Sequence, residues 1–528
     1  MFTIIGAGGS GARVVEAVVH LCAAGLGPDT LRILLIDPDR GNGNASRLGR
    51  MLTAYFECRK RFQSKKLNGL DLFSTDIELL GMKLDQAGLE PWSPVSRKTT
   101  LSEMLNTELL SKSGIDPDVL KLFYDKEELK STFDYGFLGR PAIGAAAMSM
   151  IRKHQHKPPW NQLAEYIQND TSRIEGSRIM ITGSVFGATG ASAIHPLLRY
   201  LRSIPDENPS RLIIGVMALL PYFSFAVDKE TIKADKVIGE IVARADDFAF
   251  KTKTALEYYH YLRTTHEGRS VSESDWPNAL YWLGDNDAID VKFSRGGPTQ
   301  INQSSAIDLF SGLTCLGFFF EDSKELNGTC CYAGPRQDAF KKLGTRNPKG
   351  WEDIPFTRSM KIRDDDIRRS LLKFWLTGAY HLGFCEELRK TEDLDLKPYC
   401  VPWYYRNFHL KHRSLRSEPA REALTQLSTF FNEFHFPWWK DLLASDECML
   451  FNKLAFTNDE ESSSPIDLNL LHSLLWKSAE GSESPLEVDK YFSLMTKQKV
   501  PPGLEEMPAY LTILSNAASA YIRNEYPL

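Results

Sequence analysis

"RIMITGSVFGATGASAIHPLLRYLRSIP", residues 178–205, runs from an apolar stretch through a turn dense in glycine and alanine into a segment with helically spaced apolar residues. A turn of that composition, placed where a strand becomes a helix, presents unpaired backbone N–H groups at a helix N-terminus. Such a terminus is a ready site for an anion, most often phosphate. The same residues also suit a tight strand-to-helix turn with no ligand, so the rest of the chain has to decide.

The N-terminus supplies a second turn of the same kind. "FTIIG" (2–6) reads as a strand, "GAGGSG" (6–11) fits G-x-G-x-x-G, "ARVVEAVVHLCAAG" (12–25) reads as an amphipathic helix, and "LRILLID" (31–37) as the next strand. Glycine at 6, 8 and 11 permits the tight turn and lets backbone approach an anion, while the helix N-terminus adds partial positive charge. Asp37 and Asp39 lie where an acid would read a ribose. Further on, "RLIIGVMALLPYFSF" (211–225) and "ALYWLGD" (279–285) are apolar without alternation and are separated by helical patterns. Such strands belong in a parallel sheet covered on both faces, an α/β fold.

At 528 residues the chain is too long for one ordinary core. Residues 1–300 read as a nucleotide-binding α/β domain with a polar insertion over about 40–132, residues 301–325 as a long central helix and its following loop, and 326–528 as a helix-rich C-terminal domain. The 63 basic and 68 acidic residues leave a net charge of -5, which gives no electrostatic reason to expect nucleic acid or anionic membrane as a partner. Eight cysteines include no C-x-x-C pair and Cys330 adjoins Cys331, so reduced thiols and a cytoplasmic location are expected. The apolar N-terminus lacks a basic leader, and "LIIGVMALLPYFSFAV" is broken by Pro221 and short for a membrane span. His154 and His156 are two residues apart and point away from each other on a helix, so no metal site is expected there.

Three families share this opening. A nicotinamide dehydrogenase would match the glycines and Asp37. An E1-like adenylating enzyme is similar too, since "DPDRGNGNASR" (37–47) offers Asp37, Asp39, Asn44 and Arg47 in that family's order, with one residue fewer between acid and asparagine and no later cysteine pair for zinc. Neither accounts for "SVFGATGAS" (184–192). The full set of loops, over about residues 1–320, resembles the tubulin and FtsZ superfamily, in particular the divergent bacterial tubulin-like proteins. Gly6 to Gly11 resembles that family's first phosphate loop. "GFLGRPAIGAAAM" (136–148) resembles the loop that closes over the terminal phosphate, with Gly136, Gly139, Pro141 and Gly144 in place. "FGATGAS" (186–192) resembles the G-G-G-T-G-T-G signature, and Pro221, Phe223 and Phe225 fit the K-P-F-x-F turn.

The resemblance implies GTP or GDP with Mg²⁺, held by Gly6, Gly8, Gly9, Ser10, Gly11, Asp37, Gly139, Pro141, Gly144, Gly187, Ala188, Thr189, Gly190, Ala191 and Ser192. It also implies nucleotide-linked assembly into a homo-oligomer or filament, with a different protein partner left open. In this family an acid from the loop after the central helix acts on the neighbouring subunit's nucleotide, which makes Glu321, Asp322 and Glu325 candidates by position. Asp285, Asn286 and Asn302 have groups suited to the base. Phe186, Ala188, Ala191 and Ser192 crowd the signature and N-x-D-x-x-D is absent, so weak or no GTP hydrolysis is expected. The alternatives are a Rossmann enzyme using ATP or NAD, and an assembly module that has lost the chemistry.

Overall fold

The computed structural model describes residues 1–225, 245–265, 276–332, 364–390, 401–409, 415–444, 488–500 and 503–525, apart from short internal gaps of at most six residues. Seven strands form one sheet: β1 (Phe2–Ala7), β2 (Thr30–Ile36), β3 (Asp76–Leu79), β4 (Ser177–Ser184), β5 (Leu212–Leu219), β6 (Ala279–Leu283) and β7 (Thr329–Tyr332). Their order across the sheet is β3-β2-β1-β4-β5-β6-β7 and every pairing is parallel. Ile4 and Ile5 show why the strands are apolar throughout. These neighbours point to opposite faces, and both faces are buried.

On one face lie α1 (Gly8–Ala23) and α2 (Gly43–Phe62). The short α3 (Pro141–Met148) sits at the sheet's carboxyl edge, and α4 (Trp160–Thr171), α5 (Thr189–Arg202) and α6 (Phe248–Thr265) cover the other face. Helix α7 (Ala306–Phe320) returns to the first face and packs on α1, with Gly312 so close to Ala17 that an added Cβ would lie 3.1 Å from the alanine's. α7 is shorter than the sequence predicts, because Ser305 and Asp308 form a capping box that starts the helix there.

Two further stretches join the central layers. α2 packs on α1, and β3 pairs with β2, so residues 43–62 and 76–79 belong to the central layers rather than to an insertion. The C-terminal part also packs against the first layers. β7 lies beyond residue 326 yet extends the sheet, and the helices α8 (Asp364–Lys390), α9 (Glu418–Thr429), α10 (Phe436–Ala444), α11 (Val488–Lys497) and α12 (Glu506–Glu525) share one hydrophobic core with α1 and α2. Phe73 meets Phe374 and Phe430 at ring distances of 5.5 and 5.0 Å, and His20 stacks on Trp438 at 4.4 Å. Among the described residues no helix is long and apolar enough to cross a membrane.

Candidate functional site

The strand order reverses between β1 and β4, whose following helices leave to opposite faces of the sheet. A crevice opens at the carboxyl ends of the strands at such a point, and ligands of open α/β sheets bind there. Both glycine-rich turns meet in it. A Cβ on Gly8, whose φ is +72°, would lie 3.1 Å from the Thr189 Cβ. Neither α1, preceded by Ala7, nor α5, preceded by Ala188, has a side-chain cap or an acid in its first turn. Two helix N-termini therefore face one crevice with their first N–H groups uncapped by side chains, an arrangement that favours an anion.

The glycines divide into two kinds. A Cβ on Gly11 would sit 2.8 Å from the Gly6 carbonyl carbon and the Thr182 oxygen, and one on Gly190 would sit 2.5 Å from the Ser184 oxygen. These positions let helix and strand backbones touch. Gly9 is different: a Cβ there would point toward the side-chain nitrogens of Asn44, at 3.1 Å, and Asn42, at 3.5 Å. Gly187 faces the Ser184 hydroxyl.

The third loop joins them from above. Gly136 and Gly139 adopt φ of +74° and +75°, which glycine tolerates, and Pro141 occupies the first turn of α3. Gly144 abuts Ser192 of α5, so closely that any side chain would displace it, and Ser192 donates to the Thr189 carbonyl at 3.1 Å. Ala188 packs against the small cluster containing Phe137 and Ile143. The structure thus brings together Gly6, Gly8, Gly9, Ser10, Gly11, Gly139, Pro141, Gly144 and the segment Gly187 to Ser192.

Polar side chains after β2 form a further wall. Asn42 caps α2 by accepting from the Asn44 N–H at 2.9 Å, and its amide donates to Gln300 at 2.8 Å. Asn44 is 1% exposed and accepts from the Asn302 N–H at 3.0 Å, yet its side-chain nitrogen has no partner among the described residues. A buried amide donor left unmet beside Gly9 fits a ligand oxygen. Asp37 is buried, accepts from the Asp39 N–H at 3.0 Å, and has its carboxyl pushed up to about 8, first by burial and then by Asp39. The shift favours the neutral acid, which can donate as well as accept. Asp39, raised by burial, accepts from the N–H groups of Gly41 and Gly297 at 3.2 and 2.6 Å.

Beneath the first loop Arg13 pairs with Asp308 of α7, both buried, and the Arg13 guanidinium lies 5.9 Å from the Tyr222 ring centre. Arg47 ties α2 to Glu16 at 2.7 Å and to the Asn302 carbonyl at 3.0 Å. α1, α2, α7 and the turn after β5 are therefore stitched under the crevice.

Glu321 and Asp322 are not in it. They follow the far end of α7, where Arg178 at the start of β4 donates to the carbonyls of Phe318, Phe319 and Glu321 at 2.9, 3.0 and 2.5 Å. Glu325 and Asn286 lie outside the described residues. Asp285 is tied by its N–H to the Pro221 carbonyl at 3.1 Å, at the turn after β6. Among the described residues no three His, Cys, Asp or Glu side chains converge to hold a metal ion. Sequence reading noticed Asn44 only as part of another family's pattern and missed Asn42. The signal was present in "NGN" (42–44), an asparagine at a helix start followed by a second whose side chain turns back toward Gly9. Compared with known proteins, the chain matches no family model, no curated protein and no solved structure.

Proposed function

We propose that this chain binds a nucleoside phosphate in the crevice between β1 and β4, and that the nucleotide is GTP or GDP, held as the tubulin and FtsZ proteins hold theirs. The observation that carries the reading is the meeting of two uncapped helix N-termini with the unmet, buried Asn44 amide. Gly8 lets the first loop come close to Thr189 and Gly9 lets it come close to the asparagine amides; the first N–H groups of α1 and α5 would donate to the phosphate oxygens, and Asn44 would add a side-chain donor. Asp37, just after β2, would meet a ribose hydroxyl. With no carboxylate cage among the described residues, Mg²⁺ would be held mainly by phosphate oxygens, with the Thr189 hydroxyl on hand. Bound magnesium would neutralise phosphate charge; the chain's own part is to orient the phosphates and exclude water from them. The guanine assignment rests on the sequence resemblance.

Hydrolysis by a lone subunit is expected to be slow, because the candidate acids Glu321 and Asp322 lie at the opposite edge of the sheet. A second reading, a Rossmann enzyme using ATP or NAD, is favoured by the strand order and by Asp37 at the end of β2. Titration calorimetry with GTP, GDP, ATP and NAD separates the two. The expected result is heat with guanine nucleotides, abolished by Gly9→Val, which fills the space in front of the asparagine amides. Tight binding of NAD or ATP with none of GTP would replace the first reading by the second.

A further inference from the structure

Helix α6 begins at Phe248, whose ring lies 4.6 Å from that of Phe186 in the loop between β4 and α5. One turn later, half-buried Lys251 donates its ammonium to the Gly139 carbonyl at 3.1 Å. Gly139 precedes α3, whose Gly144 rests on Ser192. One ammonium is thus anchored beside the β4–α5 loop and attached to the loop before α3. The neighbouring residue Arg140 has its own acids, pairing with Glu128 and, at 3.7 Å, with Asp125. Lys251 instead makes its contact with a neutral backbone oxygen. Burial lowers its pKa; Asp247 opposes that shift and Arg140 adds to it. A charge withdrawn from water and met by a carbonyl gains most from an anion arriving nearby.

We infer that Lys251 is the residue that distinguishes nucleoside triphosphate from diphosphate at this site. With a diphosphate its ammonium stays on Gly139; with a triphosphate it turns to the terminal phosphoryl oxygens. This rests on the nucleotide reading above. The test is calorimetry of wild type, Lys251→Met and Lys251→Arg with GDP and with the non-hydrolysable triphosphate GMPPNP, with thermal melts to check folding.

For Lys251→Met the expected loss is about tenfold or more in GMPPNP affinity, the scale of one charge-assisted hydrogen bond. GDP affinity should stay within about twofold and Lys251→Arg should recover part of the loss. If wild type binds both nucleotides and the ratio of their affinities is the same in every variant, the role of Lys251 is overturned while the nucleotide reading stands. If wild type binds neither, both fall together. Should Lys251→Met melt early, Lys251→Arg and Lys251→Gln carry the same ratio test.

Discussion

Asp37 carries a consequence that can be measured without any ligand. Its carboxyl titrates at about 8 in the fold because it is buried and faces Asp39, whereas in the unfolded chain it titrates near 3.8. Between those values the folded protein keeps a proton that the unfolded chain releases, so this group's contribution to stability falls as pH rises from about 4 to about 8. Asp37→Asn is expected to flatten that decline, raising the melting temperature at pH 8 and leaving it unchanged at pH 4. A lower melting temperature at pH 8 would mean the carboxylate is ionised and held by a partner. The glycines make a second residue-scale contrast. Gly190→Ala drives a methyl against the Ser184 backbone and is expected to cost about 1–3 kcal/mol with or without nucleotide, read from denaturant unfolding. Gly9→Ala should cost much less, because its methyl meets side-chain amides rather than backbone. Sequence reading found both glycines but could not separate them, since what a missing Cβ would touch depends on strands far away in the chain.

Helix α1 joins the crevice to the C-terminal helices, and one hydrogen-bonded chain marks the joint. Trp439 donates to the His435 Nε2 at 3.2 Å, which leaves the proton on Nδ1 of His435 to be donated to Nδ1 of His20 at 3.3 Å. Burial holds His435 down to about 3, and burial, then His435 and Arg47, hold His20 well below its usual value. Both imidazoles stay neutral in the fold while the unfolded chain protonates them below about 6.5. Their contribution is complete above that pH and is lost as pH falls toward 3. His435→Gln should make stability fall less steeply between pH 6.5 and pH 4, measured by denaturant unfolding at a series of pH values; an unchanged slope would show that other groups set the acid limit. The strands β1, β2, β4, β5 and β6 were legible from their apolar runs. β3 was not, because it is four residues long with only Ile77 buried, and α2 was hidden in a segment whose apolar stripe is diluted by Arg and Lys. That the C-terminal part is rich in helix was legible, but its union with α1 was not. It is made by His20, Phe73, Phe430 and Trp438, whose proximity no local pattern encodes.

At the scale of the whole molecule the crevice and the candidate acids occupy opposite edges of one sheet. β4 spans eight residues, so Arg178 with Glu321 and the glycine turns beyond Ser184 are separated by about 25 Å along the strand. Under the proposed function no single subunit can bring Glu321 or Asp322 to its own nucleotide. A second copy, stacked so that its α7 end meets the first copy's crevice, could. Such a contact is heterologous, and unless its rotation closes a ring it continues as a filament. A nucleotide shared across that contact binds the assembled state better than the free one and shifts the equilibrium by its differential affinity. The C-terminal helices complicate this. They are fused into the same core as α1 and α2 and lie on one face of the sheet only, so growth is expected to be limited or curved. Sedimentation velocity with and without GTP and Mg²⁺ should therefore show a nucleotide-dependent oligomer whose population rises with protein concentration. Phosphate release per subunit should rise in parallel. Glu321→Ala combined with Asp322→Ala should keep the oligomer and lower phosphate release, because these side chains are exposed or half-exposed and their removal leaves the Arg178 contacts to backbone carbonyls intact. A mass that stays monomeric at every protein and nucleotide concentration would remove the shared site. Phosphate release at a concentration-independent rate would place the catalytic groups within one chain.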